Sequence, residues 1–138
     1  MGGGLRVSEN TMIRNNLKIS GNNILSIGSD CFINSDMLFD LSADINIGNN
    51  VVIGGRGTEF WTHSYTLDRK ITTSEISIGN NIYFGSGCLV NKGVSIASNN
   101  TIGAKTVVSK IVDTENNIVV SNKQVSITRK INTDEKTT

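Results

Sequence analysis

The sequence repeats an apolar residue at every sixth position, and this spacing limits the folds that are open to the chain. In the second half the repeated residues are Ile78, Phe84, Val90, Ile96, Ile102 and Val108. An earlier array has the same spacing at Ile27, Ile33 and Phe39 and continues, after a slip of two residues, at Ile47 and Ile53. A period of six fits neither the period of an α-helix, about 3.6 residues, nor the alternation of a simple strand, so each unit contains a corner.

The spacing predicts an all-β solenoid in which each unit is a short strand followed by a turn. Three units close one triangular coil, and stacked coils pair their strands in parallel while the repeated apolar side chains fill the bore. The composition agrees, because the chain has 14 glycines and many asparagines, which tolerate the positive φ of sharp turns, and no proline.

All 138 residues are predicted to form a single domain, residues 1–138. Its repeats cover about residues 13–112, where Ile13 and Ile19 are candidates for the first units, and one protruding loop insertion covers about residues 59–75. A closing segment follows over residues 113–138, with one or two strands expected at residues 118–120 and 125–127. Since an inserted segment projects from a rigid scaffold, we expect functional side chains there.

The charges and apolar segments exclude several classes of protein. A formal net charge of +1, with Lys and Arg spread along the chain, does not make the basic surface of a nucleic-acid-binding protein. No segment approaches the roughly 18 apolar residues of a membrane span, and residues 1–10 lack the apolar stretch of a signal peptide. These features predict a cytoplasmic protein. Cys31 and Cys88 lie far apart in the sequence, so we expect buried, reduced thiols and no metal site.

Residues 78–110, IGNNIYFGSGCLVNKGVSIASNNTIGAKTVVSK, resemble the C-terminal coils of the hexapeptide-repeat acetyltransferases. This family includes galactoside, maltose and polysaccharide O-acetyltransferases. The resemblance implies a left-handed parallel β-helix, assembly as a homotrimer and use of acetyl-CoA. It also implies direct acetyl transfer to a hydroxyl group of a sugar or polysaccharide precursor.

His63 is the only histidine and lies inside the loop insertion. The resemblance implies that it is the catalytic base, and a neutral imidazole suits this role near pH 7 because its unperturbed pKa is about 6.5. A carbonic-anhydrase-like zinc site needs several histidines, which one histidine per chain does not supply. Asp44 and Glu59 are candidates for orienting the imidazole. A packing role for His63 is the alternative.

The resemblance also assigns residues to the coenzyme. Ser86, Gly87, Gly103 and Ala104 match positions that contact the thioester and the pantetheine arm, where a backbone N–H can stabilise an oxyanion. Gly87 and Gly103 are equally well explained as turn residues of the repeat. Tyr83 is expected to pack beside the active site, and the candidates for the coenzyme phosphates are Lys105, Lys110 and Arg129. Residues 121–125 depart from the family's usual Gly-Asn-Pro-Ala-Lys, so its contacts to the adenine end do not transfer.

The segment INSDMLFDLSAD, residues 33–44, resembles the family stretch that binds sugar hydroxyl groups. It makes Asn34 and Asp36 the first candidates for contacts to the acceptor and Asp40, with Asp44, the next. Trp61, with Phe60 and Tyr65, is a candidate for an apolar wall beside the acceptor or for packing against another subunit. Two other functions stay open: serine or amino-sugar N-acetylation on the same scaffold, and a non-catalytic β-helix scaffold module.

Overall fold

A computed structural model describes residues 3–121 and 123–126. Within these residues all regular structure is β-strand, in nineteen short strands. No helix in this part of the chain is long and apolar enough to cross a membrane. The prediction of an all-β fold is confirmed.

The strands follow one another around three faces of a solenoid of about six turns. The first three coils contain β1 (Gly4–Val7), β2 (Met12–Ile13), β3 (Lys18–Gly21), β4 (Ile24–Ile27), β5 (Phe32–Ile33), β6 (Leu38–Leu41), β7 (Ile45–Ile47), β8 (Val51–Ile53) and β9 (Glu59–Phe60). A projecting hairpin consists of β10 (His63–Tyr65) and β11 (Ile71–Thr73). The remaining strands are β12 (Ile76–Ile78), β13 (Ile82–Phe84), β14 (Leu89–Val90), β15 (Ser95–Ile96), β16 (Asn100–Ile102), β17 (Val107–Val108), β18 (Asn117–Val120) and β19 (Lys123–Ser126).

Each face is a sheet made of every third coil strand. The first face has the order β1-β4-β7-β12-β15, the second β2-β5-β8-β13-β16-β18-β19, and the third β3-β6-β9-β14-β17. Pairing between neighbouring coils is parallel, and Ser77 lies opposite Ser95, so this coil takes the eighteen residues of three repeats. Leu25 lies opposite Ile45, which makes the earlier coil two residues longer. The predicted triangular parallel solenoid is therefore confirmed.

The periodic apolar residues fill the bore as predicted. All six residues of the second array are buried, and Phe39 and Phe60 stack in the earlier coils with ring centroids 5.0 Å apart. Phe84 continues this column with an edge contact to Phe60 at 5.8 Å. Cys31 and Cys88 are free and buried in the same core, which confirms their expected burial.

Asparagine shapes the corner between the first and second faces. Asn50, Asn81 and Asn99 occupy equivalent places in successive coils, and each has a positive φ, between 54° and 62°. The Asn50 Nδ2 donates to Asn81 Oδ1 at 2.8 Å, so the side chains also connect the coils. The abundance of asparagine thus has the local cause that the sequence predicted, because this residue tolerates the left-handed conformation better than most.

Two predicted boundaries need correction. The coils begin at β1, where Leu5 and Val7 lie opposite the core residues Leu25 and Ile27, and not near residue 13. The insertion begins later than residue 59, because Glu59–Phe60 is still a strand of the third face. The first difference arises because Val7 lies six residues before Ile13 and continues the spacing. The second arises because strand pairing continues at Phe60, seven residues after Ile53, where the spacing is broken.

Candidate active site

His63 lies at the foot of the projecting hairpin. It is the first residue of β10, three residues after β9 ends, so it occupies the corner between the third and first faces. The hairpin closes on itself, because His63 pairs with Thr73 across its antiparallel strands. The Ser74 N–H donates to the Thr62 carbonyl at 3.0 Å, which returns the chain to the solenoid at the place where it left. The imidazole is therefore held by the rigid coils and not by the tip of the hairpin.

A carboxylate lies directly beneath the imidazole. His63 Nδ1 is 2.7 Å from Asp40 Oδ2 and 3.1 Å from Ser42 Oγ. Ser42 Oγ in turn donates to Asp40 Oδ1 at 2.9 Å. Because an ionised carboxylate only accepts hydrogen bonds, this contact assigns the ring proton to Nδ1. Nε2 then carries the lone pair, and a neutral His63 can accept a proton there.

Asp40 is almost fully buried on β6 and is held from several directions. The Thr62 N–H donates to Asp40 Oδ2 at 2.9 Å, and the Thr62 hydroxyl donates to the Asp40 carbonyl at 2.7 Å. Burial raises the pKa of the Asp40 carboxyl group, but hydrogen bonds from His63, Ser42 and Thr62 outweigh it, so the pKa lies below its ordinary value of 3.8. Asp40 is therefore ionised at neutral pH.

An open depression of about 320 Å³ adjoins the imidazole and extends along the corner over three coils. Its lining residues are His63, Ser64, Asn91, Lys92 and Ser109. Two aromatic side chains flank His63 edge-on: the ring centroids of Trp61 and Tyr65 lie 5.8 and 5.6 Å from that of the imidazole. The His63 side chain is 21% exposed, so a small molecule in the depression can reach it.

The acidic residue that orients His63 differs from the two that were predicted. Asp44 accepts a hydrogen bond from the Ile24 N–H at 2.9 Å, and Glu59 accepts one from Trp61 Nε1 at 2.8 Å. Asp40 takes the orienting position instead and is 4% exposed, and its contact to an acceptor stays a prediction. Phe60 belongs to the core and not to a wall of the site. The sequence feature that could have indicated Asp40 is the length of the coil. Phe39 pairs with Phe60, twenty-one residues later, so residue 40 lies next to residues 61 and 62.

Asn34 and Asp36, the first candidates for acceptor contacts, lie at a different corner, between the second and third faces. Asn34 Oδ1 accepts from the Ser35 N–H at 2.7 Å, as in a turn. Asp36 forms an ion pair with Arg56 at 3.3 Å and accepts from Asn16 Nδ2 at 2.6 Å. A small depression of about 170 Å³ beside Asp36 is lined by Asn16, Lys18, Asp36, Met37, Leu38 and Glu59. In one chain these residues are not assembled around His63.

Most of the predicted coenzyme residues also lie along the corner between the second and third faces, in the fourth and fifth coils. The Gly87 N–H donates to the Arg56 carbonyl, and the Gly103 N–H donates to the Val119 carbonyl, so these two amides are already used between coils. The Lys105 N–H similarly donates to the Ser86 carbonyl at 2.8 Å. Ala104 packs close to Gly85, where a Cβ would lie 2.6 Å from the Ala104 nitrogen.

Three further predicted residues lie elsewhere. Tyr83 is half exposed on the second face, with its hydroxyl group over Gly54, where a Cβ would be only 2.8 Å away. Lys110 is exposed and follows β17 at the corner where His63 lies. Arg129 lies outside the described residues. The predicted coenzyme corner and the His63 corner are thus opposite edges of the third face, roughly 15 Å apart at about 3.3 Å per strand residue.

The relatives found by comparison with known proteins include two galactoside O-acetyltransferases. The galactoside O-acetyltransferase of Escherichia coli (strain K12) is 29% identical over 135 residues, which cover 94% of this chain and 66% of the relative. That of Lactococcus lactis subsp. lactis (strain IL1403) is 29% identical over 117 residues, covering 81% of this chain and 56% of the relative. A galactoside acetyltransferase solved in complex with coenzyme A superimposes with a TM-score of 0.80 at 25% identity, covering 95% of this chain and 67% of that one.

The chain is similar in sequence and in fold to the hexapeptide-repeat acetyltransferases. No protein-family model matches the sequence. The chain spans 66% and 56% of the lengths of the two galactoside O-acetyltransferases. This similarity agrees with the resemblance of residues 78–110 and with the stacked coils.

Proposed function

We propose that this protein is an acetyl-CoA-dependent O-acetyltransferase that uses His63 as a general base on a hydroxyl group of a sugar or polysaccharide precursor. One observation carries the proposal: His63 is held through Nδ1 by a buried, ionised Asp40 and borders an open depression. A histidine that only packs has no need for a buried carboxylate, whose removal from water costs free energy. The relatives named as galactoside O-acetyltransferases and the solved complex with coenzyme A support the donor and the acceptor class.

The reaction follows from the orientation of the imidazole. The acceptor oxygen attacks the thioester carbonyl carbon while its proton passes to His63 Nε2. The tetrahedral intermediate then breaks its C–S bond, the acetyl group stays on the acceptor oxygen, and the proton on Nε2 passes to the leaving sulfur, which gives free coenzyme A. Asp40 stabilises the transient imidazolium across the Nδ1 hydrogen bond. No acyl-enzyme forms, since transfer is direct between two bound substrates.

The proposal includes assembly as a homotrimer that completes the site. The predicted coenzyme residues and His63 lie at opposite edges of the third face, so within one chain they do not surround a common substrate. In a ring of three copies the coenzyme corner of one copy can adjoin the His63 corner of the next. Each of the three sites would then lie between two subunits, in the cytoplasm, where acetyl-CoA is supplied.

The outer surface of the second face favours this assembly. Its outward side chains form one column in register: Met12, Phe32, Val52, Tyr83, Thr101, Ile118 and Val125. The corresponding column on the first face is polar: Arg6, Ser26, Asn46, Ser77 and Ser95. Because contiguous exposed apolar surface marks interaction sites, we assign the second face to the subunit contact.

The proposal is tested by release of coenzyme A from acetyl-CoA with galactosides, glucosides, serine and glucosamine as acceptors. We expect turnover with a saccharide hydroxyl and a loss of at least ~10²-fold in kcat for His63→Gln, the lower value of general-base catalysis. Coenzyme A should raise the melting temperature of both proteins, since a ligand that binds only the folded state stabilises it. Near wild-type turnover by the variant contradicts the role of His63. Turnover with serine or glucosamine alone favours N-acetylation or another acceptor, and no stabilisation by coenzyme A favours a non-catalytic scaffold.

A further inference from the structure

The depression beside His63 contains one cation whose role the transfer reaction leaves unexplained. Lys92 follows β14 and lines the depression together with Asn91, one coil beyond His63. Neighbouring strands of a sheet lie about 4.8 Å apart, so the two residues are within the width of a sugar ring along the solenoid axis. Lys92 is partly buried and is one of the residues that line the depression.

No described residue neutralises this charge. The ion pairs within residues 3–121 and 123–126 are Arg56 with Asp36, His63 with Asp40, and Lys70 with Asp68. The other side chains that line the depression, besides His63, are the uncharged Ser64, Asn91 and Ser109. Asp40 is beneath the imidazole, where four hydrogen bonds occupy its carboxylate. With a neutral His63, the depression is therefore positively charged at neutral pH.

We propose that the acceptor is an anionic saccharide whose carboxylate or phosphate group pairs with Lys92, while its hydroxyl group approaches His63. This inference rests on the proposed function and names the acceptor class of the same site. A cation that no described residue pairs with can accept a bound anion as its partner, and a charge-assisted hydrogen bond there is stronger than a neutral one.

The coenzyme is a weaker explanation for this cation. Its phosphate groups lie at the far end of the pantetheine arm from the thioester, whereas Lys92 is only one coil from the residue that must meet the reacting hydroxyl group. Asn91 and Ser64 on either side supply amide and hydroxyl groups of the kind that bind sugar hydroxyls. The arrangement thus fits a ring that has both hydroxyl groups and one negative charge.

The test compares matched acceptors that differ only at C6: methyl galactoside with methyl galacturonide, and methyl glucoside with methyl glucuronide. The readout is the ratio of kcat/KM for the acidic acceptor to that for the neutral one. We expect a ratio above one for the wild-type protein and a fall of about 10-fold to 100-fold in Lys92→Met, the range for a hydrogen bond to a charged group. Lys92→Arg should retain most of the ratio. Lys123→Met on β19 removes the same net charge away from the depression and should leave the ratio unchanged.

Two kinetic results overturn the inference. The first is a wild-type ratio of one or less with both acceptor pairs. The second is an increase in the KM for acetyl-CoA in Lys92→Met together with an equal fall in kcat/KM for the acidic and the neutral acceptor, which would assign Lys92 to the coenzyme. If no acceptor is acetylated, the proposed function fails. A binding measurement with the acidic saccharide then tests the role of Lys92 separately. Ligand-observed NMR should show weaker binding of methyl galacturonide to Lys92→Met than to the wild-type protein, and equal binding would overturn the assignment.

Discussion

Asp40 is nearly excluded from water and accepts hydrogen bonds from Ser42, Thr62 and His63. These donors keep the carboxylate ionised despite its burial. In the proposed reaction the Asp40 carboxylate fixes the tautomer of the imidazole, so that Nε2 is free to take a proton. In this role it acts through the imidazole, and it is therefore a positioning residue.

Asp40→Asn tests this role. We expect kcat to fall by about 10²-fold, because the amide no longer holds the proton on Nδ1 and no longer stabilises the imidazolium. The KM for acetyl-CoA should change little, and a purely structural role would not produce this separation of kcat from KM. Asp68→Asn on the exposed hairpin is the matched control and should retain activity. Equal turnover by Asp40→Asn and the wild-type protein would contradict the role.

Asp40 also makes the unfolding free energy depend on pH, with lower stability expected in acid. Because the pKa of Asp40 is lowered in the folded state, its ionisation stabilises the fold above the unfolded pKa of about 3.9, and this contribution disappears as the pH falls through the lower folded pKa. We expect the difference in unfolding free energy between the wild-type protein and Asp40→Asn to be larger at about pH 6 than at about pH 3. Urea unfolding measures it, and a difference that grows on acidification to pH 3 would contradict the sign.

The sequence predicted His63 and missed its partner for a physical reason. His63 is the only histidine and lies in the insertion, and both features can be read directly from the sequence. The pairing with Asp40 depends on the number of residues in the intervening coil, which is twenty-one between Phe39 and Phe60 and not eighteen. That number is set by extra residues at a corner, and the six-residue spacing carries no information about them.

At the scale of the structural element, the corner between the second and third faces shows how tightly the coils approach. Gly55 and Gly57 both have a positive φ, of 61° and 81°. A Cβ on Gly55 would overlap the Cβ of Ser86 in the next coil, whereas a Cβ on Gly57 meets nothing within 4 Å. The two glycines therefore share a backbone requirement and differ in their packing.

Gly55→Ala and Gly57→Ala separate these two costs. Each places a side chain in the left-handed conformation, which costs roughly 1–2 kcal/mol. Only Gly55→Ala also forces the third and fourth coils apart, so we expect it to lower the unfolding free energy by at least ~1 kcal/mol more, in the range of overpacked cores. Chemical unfolding measures both variants. Equal losses would mean that the coils can relax around the new methyl group.

The spacing predicted the strands well where the repeat is uninterrupted and less well where it is broken. From Ile78 to Val108 each apolar residue of the six-residue repeat is buried in its predicted strand, because burial in the bore and the corner geometry both impose the same period. Glu59–Phe60 was assigned to the insertion although it pairs with β6 and β14. A strand of two residues is specified by its neighbours in the sheet, and those neighbours are distant in the sequence.

At the scale of the whole molecule, the proposed trimer predicts that the faces respond differently to charge. Val52 lies in the apolar column on the second face, and Ser77 lies in the polar column on the first face, one coil further along the solenoid. We expect Val52→Glu to convert the assembly to monomers with little acetyl transfer, because a buried unpaired carboxylate opposes association. Ser77→Glu should leave the assembly intact. Light scattering after size-exclusion chromatography measures both, and a wild-type monomer with full activity would contradict the trimer.

The hydrogen bond between Ser74 and Thr62 brings the two ends of the hairpin together on the solenoid. Residues 65–71 can therefore be lengthened, shortened or replaced in evolution without displacing a single coil or the carboxylate beneath the imidazole. Mutations in the hairpin can thus change the surface above the candidate site while the contact between His63 and Asp40 stays unaltered in the coils below.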